Sequence, residues 1–149
     1  MSVKPIPEGF HTLTPYIVVS GVGKLIDFLK AAFEAKEILR HCRPDGAVMH
    51  AQFQIGDSFI MMGELPPGKP ALQTALYLYV PDVDAVYARA VAAGGVSIMA
   101  PMDMFYGDRN GGVTDAWGNQ WWIATHVEDV SGEEIDRRGE AAFKKGTCG

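Results

Sequence analysis

The sequence predicts an α+β fold: two tandem βαβββ modules forming a curved mixed sheet, a cup, followed by a short C-terminal helix. Three observations predict it. The order strand–helix–strand–strand–strand stands on both sides of a Pro-rich stretch, Pro66-Pro67-Gly68-Lys69-Pro70. The two halves align at a constant offset of 61, placing Tyr16 on Tyr77, Ile17 on Leu78, Val19 on Val80 and Val22 on Val83. Internal duplication accounts for both patterns. Third, the 149 residues are 48% hydrophobic and 21% charged, enough for one packed core and too apolar for a disordered chain. The expected organisation is a single domain over 1–149. Module one covers 10–65, the linker 66–72, module two 73–127, and the C-terminal helix and tail 128–149.

Each element has its own signal. Tyr16-Ile17-Val18-Val19 is a β-branched strand broken by Ser20-Gly21-Val22-Gly23. Val22, Leu25, Ile26, Leu29, Ala32 and Phe33 then recur at helical spacing. Strand signals follow near 47–54 and 58–62, split by the turn Ile55-Gly56-Asp57. After the linker the pattern restarts with the strand Leu76–Val80. Asp82 is a natural N-cap for a helix carrying Val83, Val86, Tyr87, Ala90 and Val91, ended at Gly94. Strands return at 97–100, 112–115 and 120–125, the last after the turn Asp115-Ala116-Trp117-Gly118-Asn119, whose Asp and Asn suit turn amides. Ser131-Gly132-Glu133-Glu134 is a capping box for the final helix.

Charge and composition exclude several classes. A net charge of −5 lacks the footprint for nucleic acid or anionic lipid. The longest apolar runs, such as Phe59–Met62, fall far below the ~20 residues of a membrane span. The start Met1-Ser2-Val3-Lys4-Pro5 lacks the apolar stretch of a signal peptide, and two cysteines, Cys42 and Cys148, make no disulfide framework. The expected compartment is the cytoplasm. Nucleophile elbows, His-Glu-x-x-His and phosphate-binding glycine loops are absent from the sequence.

Several stretches together resemble a known family. In the first half they are Thr14-Pro15-Tyr16-Ile17-Val18-Val19, Ile26-Asp27-Phe28, Ala31-Ala32-Phe33, Met49-His50-Ala51 and Ile55-Gly56-Asp57-Ser58. In the second they are Leu76–Asp84, Phe105-Tyr106-Gly107-Asp108-Arg109, and Asp115–Asn119 running into Trp121–His126. Over about residues 10–130 the chain resembles the vicinal oxygen chelate superfamily of glyoxalases, bleomycin-resistance proteins and dioxygenases, and most closely its PhnB-like branch. The resemblance implies the cup-shaped fold. Its enzymes hold a divalent metal on ligands from four strands, at positions that fall here on Thr14, Met61, Ala75 and Trp122. None of these is a usual ligand for Mg, Mn, Fe or Zn, so the expected site has no metal and no other cofactor. A displaced metal site from His11, His50 and Glu64 has no recognised ligand spacing.

Strand alternation then sorts the faces. Tyr16 and Val18 share the face of Thr14, Tyr77 and Tyr79 that of Ala75, Phe59 that of Met61, and Gln120, Ala124 and His126 that of Trp122. Ile17, Val19, Leu76, Leu78, Val80 and Ile123 read as core behind the helices. The candidate ligand-binding residues are Tyr16, His50, Phe59, Met61, Tyr77, Tyr79, Tyr106, Asp108, Arg109 and Trp122. Such a cup is aromatic and Met-lined and suits planar or amphipathic ligands. The same Tyr77, Tyr79 and Trp122 also read as core or dimer-seam packing. His50 shares its strand face with Gln52 and Gln54, which suits ligand orientation or a solvent-facing role. Asp108 and Arg109 read as a rim clamp or as a pair holding their own loop. His126 and His41 read as structural.

The function expected from these readings is a metal-free small-molecule-binding protein of bleomycin-resistance type. The alternative is a glyoxalase-type lyase or isomerase, or a dioxygenase, with an unconventional site. A homodimer is expected, because a four-stranded half-barrel leaves sheet edges and one open apolar face, and the linker is long enough for exchange between chains.

Overall fold

A computed structural model describes residues 2–143; Cys148 and the tail lie outside the described residues. The element order is β1 (Tyr16–Val19), α1 (Val22–Phe33), β2 (Lys36–Cys42), β3 (Val48–Ile55), β4 (Ser58–Glu64), β5 (Ala75–Tyr79), α2 (Val83–Ala92), β6 (Val96–Asp103), β7 (Asp108–Thr114), β8 (Gln120–His126) and α3 (Gly132–Phe143). Two four-stranded mixed sheets result, ordered β1-β4-β3-β2 and β5-β8-β7-β6. The repeat expected from the sequence is visible in the register: Tyr16 pairs with Met61 and Tyr77 with Trp122, at the same offset.

One side of each sheet is sealed. Ile17, Val19, Ile60 and Met62 from the first sheet and Trp121, Ile123 and Val113 from the second are all 4% exposed or less. They meet Val22, Leu25, Ile26 and Leu29 of α1 and Val83, Val86 and Ala90 of α2 in one contiguous core. Each such aliphatic side chain stabilises the fold by about 1.5–3 kcal/mol relative to exposure. Phe28 and Phe33 of α1 reach across to the Trp121 ring of module two, at 6.4 and 5.2 Å between centroids. The helices and their shared core therefore bind the two modules together.

The caps follow from the sequence in part. Asp82 accepts the Ala85 N–H at 3.2 Å, and Ser131 accepts that of Glu134 at 3.2 Å. The N-terminus of α1 is different: Glu64 at the end of β4 accepts the N–H groups of Gly21 and Val22 at 3.0 and 3.3 Å. That carboxylate is a helix cap from a distant strand. It corrects the displaced-metal alternative, and among the described residues no three His, Cys, Asp or Glu side chains are grouped to hold a metal.

Two strands depart from the local signals. All seven residues of β2 are exposed, so this edge strand carries no apolar alternation to reveal it; its pairing with β3 makes it a strand. The segment 105–109, expected as a loop, is divided, because β7 already begins at Asp108 and runs through Asn110-Gly111-Gly112. These are poor strand formers, held extended by β6 on one side and β8 on the other. No helix among the described residues is long and apolar enough to cross a membrane.

Candidate functional site

The faces turned away from the core carry the candidate residues, divided between the two sheets. On the first, Tyr16 is 55% exposed and its ring lies 6.1 Å from that of His50. His50 Nε2 lies 3.3 Å from Gln52 Nε2 on the same face. Met61 is half-buried beside Tyr16. Phe59 is taken up by Phe10, whose ring meets it edge-on at 4.9 Å, and so packs the N-terminal segment.

The second sheet carries a connected site. Trp122 alternates with Trp121: the latter enters the core at 1% exposure, the former lies half-buried on the open face. Gly112 makes room for it, because a Cβ there would stand 2.7 Å from the Trp122 indole. Tyr77 and Tyr79, 44% and 65% exposed, stand 5.3 Å apart between ring centroids. Both hydroxyls donate to Asp108 Oδ2, at 2.8 and 3.0 Å. His126 Nδ1 lies 2.9 Å from the other oxygen of Asp108, and its Nε2 2.7 Å from Asp129. Asn110 donates through Nδ2 to the hydroxyls of Tyr77 and Tyr106, at 3.0 and 2.6 Å.

Local backbone places Asp108 at this centre. Gly107 takes φ 103°, and a side chain there would run into the Glu128 carbonyl. The Gly107 carbonyl in turn accepts the N–H groups of Val127 and Glu128. The residue after this tight crossing begins β7 with its carboxylate on the open face, only 4% exposed. Arg109 alternates to the other side and pairs with Asp84 at 3.0 Å and Asp103 at 3.3 Å. The structure thus separates Asp108 from Arg109, the pair expected to share a rim. His126 leaves β8 on the open face and is held there by its two carboxylate partners, Asp108 and Asp129.

The network shifts its titrating groups. Burial works against ionised Asp108, but hydrogen bonds from His126, Tyr77 and Tyr79 outweigh it and hold the carboxyl below the usual range. Burial pushes the Tyr77 hydroxyl up, and the bond to Asp108 raises that of Tyr79. The bond to Asp108, then that to Asp129, raises His126. Stability therefore depends on pH from two sides. The contribution of Asp108 is present above the ordinary carboxylate value of about 4 and is lost as pH falls through its lowered folded value. That of His126 is complete below about 6.5 and is lost as pH rises through its raised folded value. Urea midpoints measured against pH should be highest between about pH 4 and 6.5. In Asp108→Asn both limbs should flatten; unchanged limbs would show that the pair does not couple to folding.

A cleft of about 570 Å³ opens beside this network, between the Tyr79 and Tyr106 side chains, Asp108, His126 and the Asp129–Ile135 segment. A second, of about 540 Å³, follows β5 and is lined by Leu76, Leu78, Phe33 and Trp121 among others. Of the expected site residues, Tyr16, His50, Phe59, Met61, Arg109 and Trp122 line neither.

The paired sheets, each backed by one helix and open on its other face, define a duplicated βαβββ fold, and comparison with known proteins agrees. The chain belongs to the Glyoxalase/Bleomycin resistance protein/Dioxygenase superfamily, whose family model matches residues 9–123. Among its relatives is the uncharacterized protein Mb0911c of Mycobacterium bovis, 36% identical over 134 residues, covering 83% of this chain and 88% of that one. Solved structures of the same fold include TioX from Micromonospora sp. ML1, with a TM-score of 0.68 at 21% identity over 78% of this chain and 99% of that one. Another is a PhnB protein from Bacillus cereus, described as a putative 3-demethylubiquinone-9 3-methyltransferase, with a TM-score of 0.62 at 18% identity over 77% and 99%.

The metal positions implied by the family do not fit a metal here. Thr14 turns its hydroxyl to the His11 carbonyl at 3.4 Å, Ala75 has no donor, and Met61 and Trp122 offer a thioether and an indole. A divalent ion needs imidazole or carboxylate at such places.

Two members of this network escape the sequence reading, Asn110 and Asp129, whereas for His126 strand alternation gives the face, that of Trp122, but not the partners. The repeat held a signal for the first. His50 pairs with Gly63 and Asn110 with Ala124, so on β3 and β7 the offset drops to 60. The register across the β7–β8 hairpin is thus one residue off from that across β3–β4, and allowing for it makes Asn110 the counterpart of His50.

Proposed function

We propose that this protein is a metal-free small-molecule-binding protein of bleomycin-resistance type, holding an aromatic or amphipathic ligand against the open face of module two. The observation that carries the reading is the pair Tyr77 and Tyr79, both bonded to Asp108, with Trp122 beside Tyr77 in the register of β5 and β8. An aromatic wall offers stacking worth about 0.5–1.5 kcal/mol per ring pair beyond area burial. Polar groups beneath it fix the ligand's orientation. The donor set at Thr14, Met61, Ala75 and Trp122 supports binding without a metal.

We further infer a cytoplasmic homodimer. The outer edges of β1 and β5 are unpaired among the described residues, and Tyr16, Tyr77 and Tyr79 are exposed near them. A second copy would cover these edges and could bring Tyr16, His50 and Met61 over the wall of module two. Light scattering at micromolar concentration should give the dimer mass; a monomer mass would remove this part of the reading.

The binding test uses a panel of planar antibiotics and aromatic metabolites, followed by tryptophan fluorescence. A binder should quench the wild type. Trp122→Ala should lose about ten-fold or more in affinity, equivalent to ~1.4 kcal/mol. Quenching that survives the substitution at full affinity would place the ligand elsewhere. Elemental analysis of protein purified without chelator should show well below one metal per chain, whereas stoichiometric Zn, Ni, Mn or Fe would favour the enzyme alternative.

A further inference from the structure

We propose that the cleft beside β7 and β8 takes an organic ammonium or amidinium cation carrying an apolar group. This deepens the reading of module two as a small-molecule site and rests on it; what it adds is the ligand's charge.

The cleft has an excess of acceptors. Asp129 presents a fully exposed carboxylate at the mouth, and Asp108 presents another below it. Behind the Tyr106 hydroxyl, one layer below the cleft lining, lies Asn110, 3% exposed, whose Nδ2 serves two tyrosines while its Oδ1 has no partner among the described residues. A buried acceptor left unpaired is costly, and a ligand N–H or a water bridging to one would relieve it. The rings of Tyr79 and Tyr106 line the same space and offer faces to a cation. Val130 and Ile135 form an apolar wall for the attached hydrocarbon.

Charge points the same way. His126 stands between Asp108 and Asp129. With its ring protonated the three groups sum to −1, and with the ring neutral to −2. Arg138 does not offset this, being bound to Glu128, Glu134 and the Phe105 carbonyl. The N-terminus of α3 borders the cleft but is capped by Ser131 and carries Glu133 and Glu134 in its first turn. An anion would therefore meet carboxylates and an already satisfied helix end. The groups facing His126 are Asp108 from β7, Asp129 from the following segment, and Tyr77 and Tyr79 of β5 through Asp108. A bound cation competes with the His126 proton, so binding should release protons and tighten as pH rises through the His126 titration.

The test is titration calorimetry with three probes that share one ring: benzylammonium, benzyl alcohol and benzoate, at pH 6 and pH 8. At pH 8 the ammonium should bind about ten-fold tighter than benzyl alcohol, with benzoate weaker than both. Its affinity should be greater at pH 8 than at pH 6. Asp129→Asn, at an exposed position, should cut ammonium affinity about five-fold and leave benzyl alcohol unchanged. If benzyl alcohol or benzoate binds as tightly as the ammonium, or ammonium affinity falls as pH rises, the charge preference is wrong while the aromatic site stands. If none of the three binds, the site reading falls with it.

Discussion

Trp121→Ala should destabilise the protein by about 3–5 kcal/mol, while Trp122→Ala, one residue on, should leave the melting temperature nearly unchanged. The adjacent indoles differ only in which side of β8 they leave. Trp121 is 1% exposed, packs against Phe28 and Phe33 of α1, and donates its Nε1–H to Asp115 at 2.9 Å. Removing it opens a cavity where the two modules meet, which neighbouring side chains cannot fill without moving α1. Trp122 lies over Gly112 on the open face and donates to Gln120 at 3.1 Å. Its loss removes a binding surface and little packing. Urea unfolding of the two variants in parallel is the measurement. A loss of 3–5 kcal/mol for Trp122→Ala would mean that this indole is core and that the open-face site is misassigned.

Asp115→Ala should cost about 3 kcal/mol or more. This carboxylate, 6% exposed, accepts the N–H groups of Trp117 and Asn119, the Asn119 amide and the Trp121 indole, all within 2.9–3.0 Å. Without it these donors are buried and unpaired at the same moment. The turn it holds also supports both modules: Trp117 Nε1 donates to the Ser20 carbonyl at 2.7 Å, and Asn119 Oδ1 accepts the Thr74 N–H at 3.0 Å. Asp115→Asn retains half of the acceptors and should fall between wild type and Ala. Equal stability of Asp115→Ala and wild type in chemical denaturation would show that water satisfies the turn instead.

Much of this architecture was legible in the residues. Period-two and period-3.6 patterns at Tyr16–Val19, Val22–Phe33 and Leu76–Ala92 mark elements whose one face is buried, and burial is what leaves a pattern. β2 left none because neither face is buried. The start of β7 was hidden because its glycines have little strand preference of their own and become extended only between two partners. For the site, alternation put Tyr77, Tyr79 and Trp122 on a common face, and the structure places them so. Pairing Asp108 with Arg109 as a rim failed for the same alternation: consecutive strand residues leave on opposite sides.

By itself the sequence determined the duplicated modules, the helix-backed core and the aromatic character of the open faces, because these depend on near-neighbour spacing repeated twice along the chain. Only the tertiary structure decided which polar groups meet. Asp108 joins Tyr77 and Tyr79 across 31 and 29 residues, His126 joins Asp108 across 18, and Glu64 caps a helix 43 residues away. A hydrogen bond needs its partners within about 3 Å and in line. No periodicity in a sequence encodes that closeness; it arises when separate strands are brought into register by the core behind them.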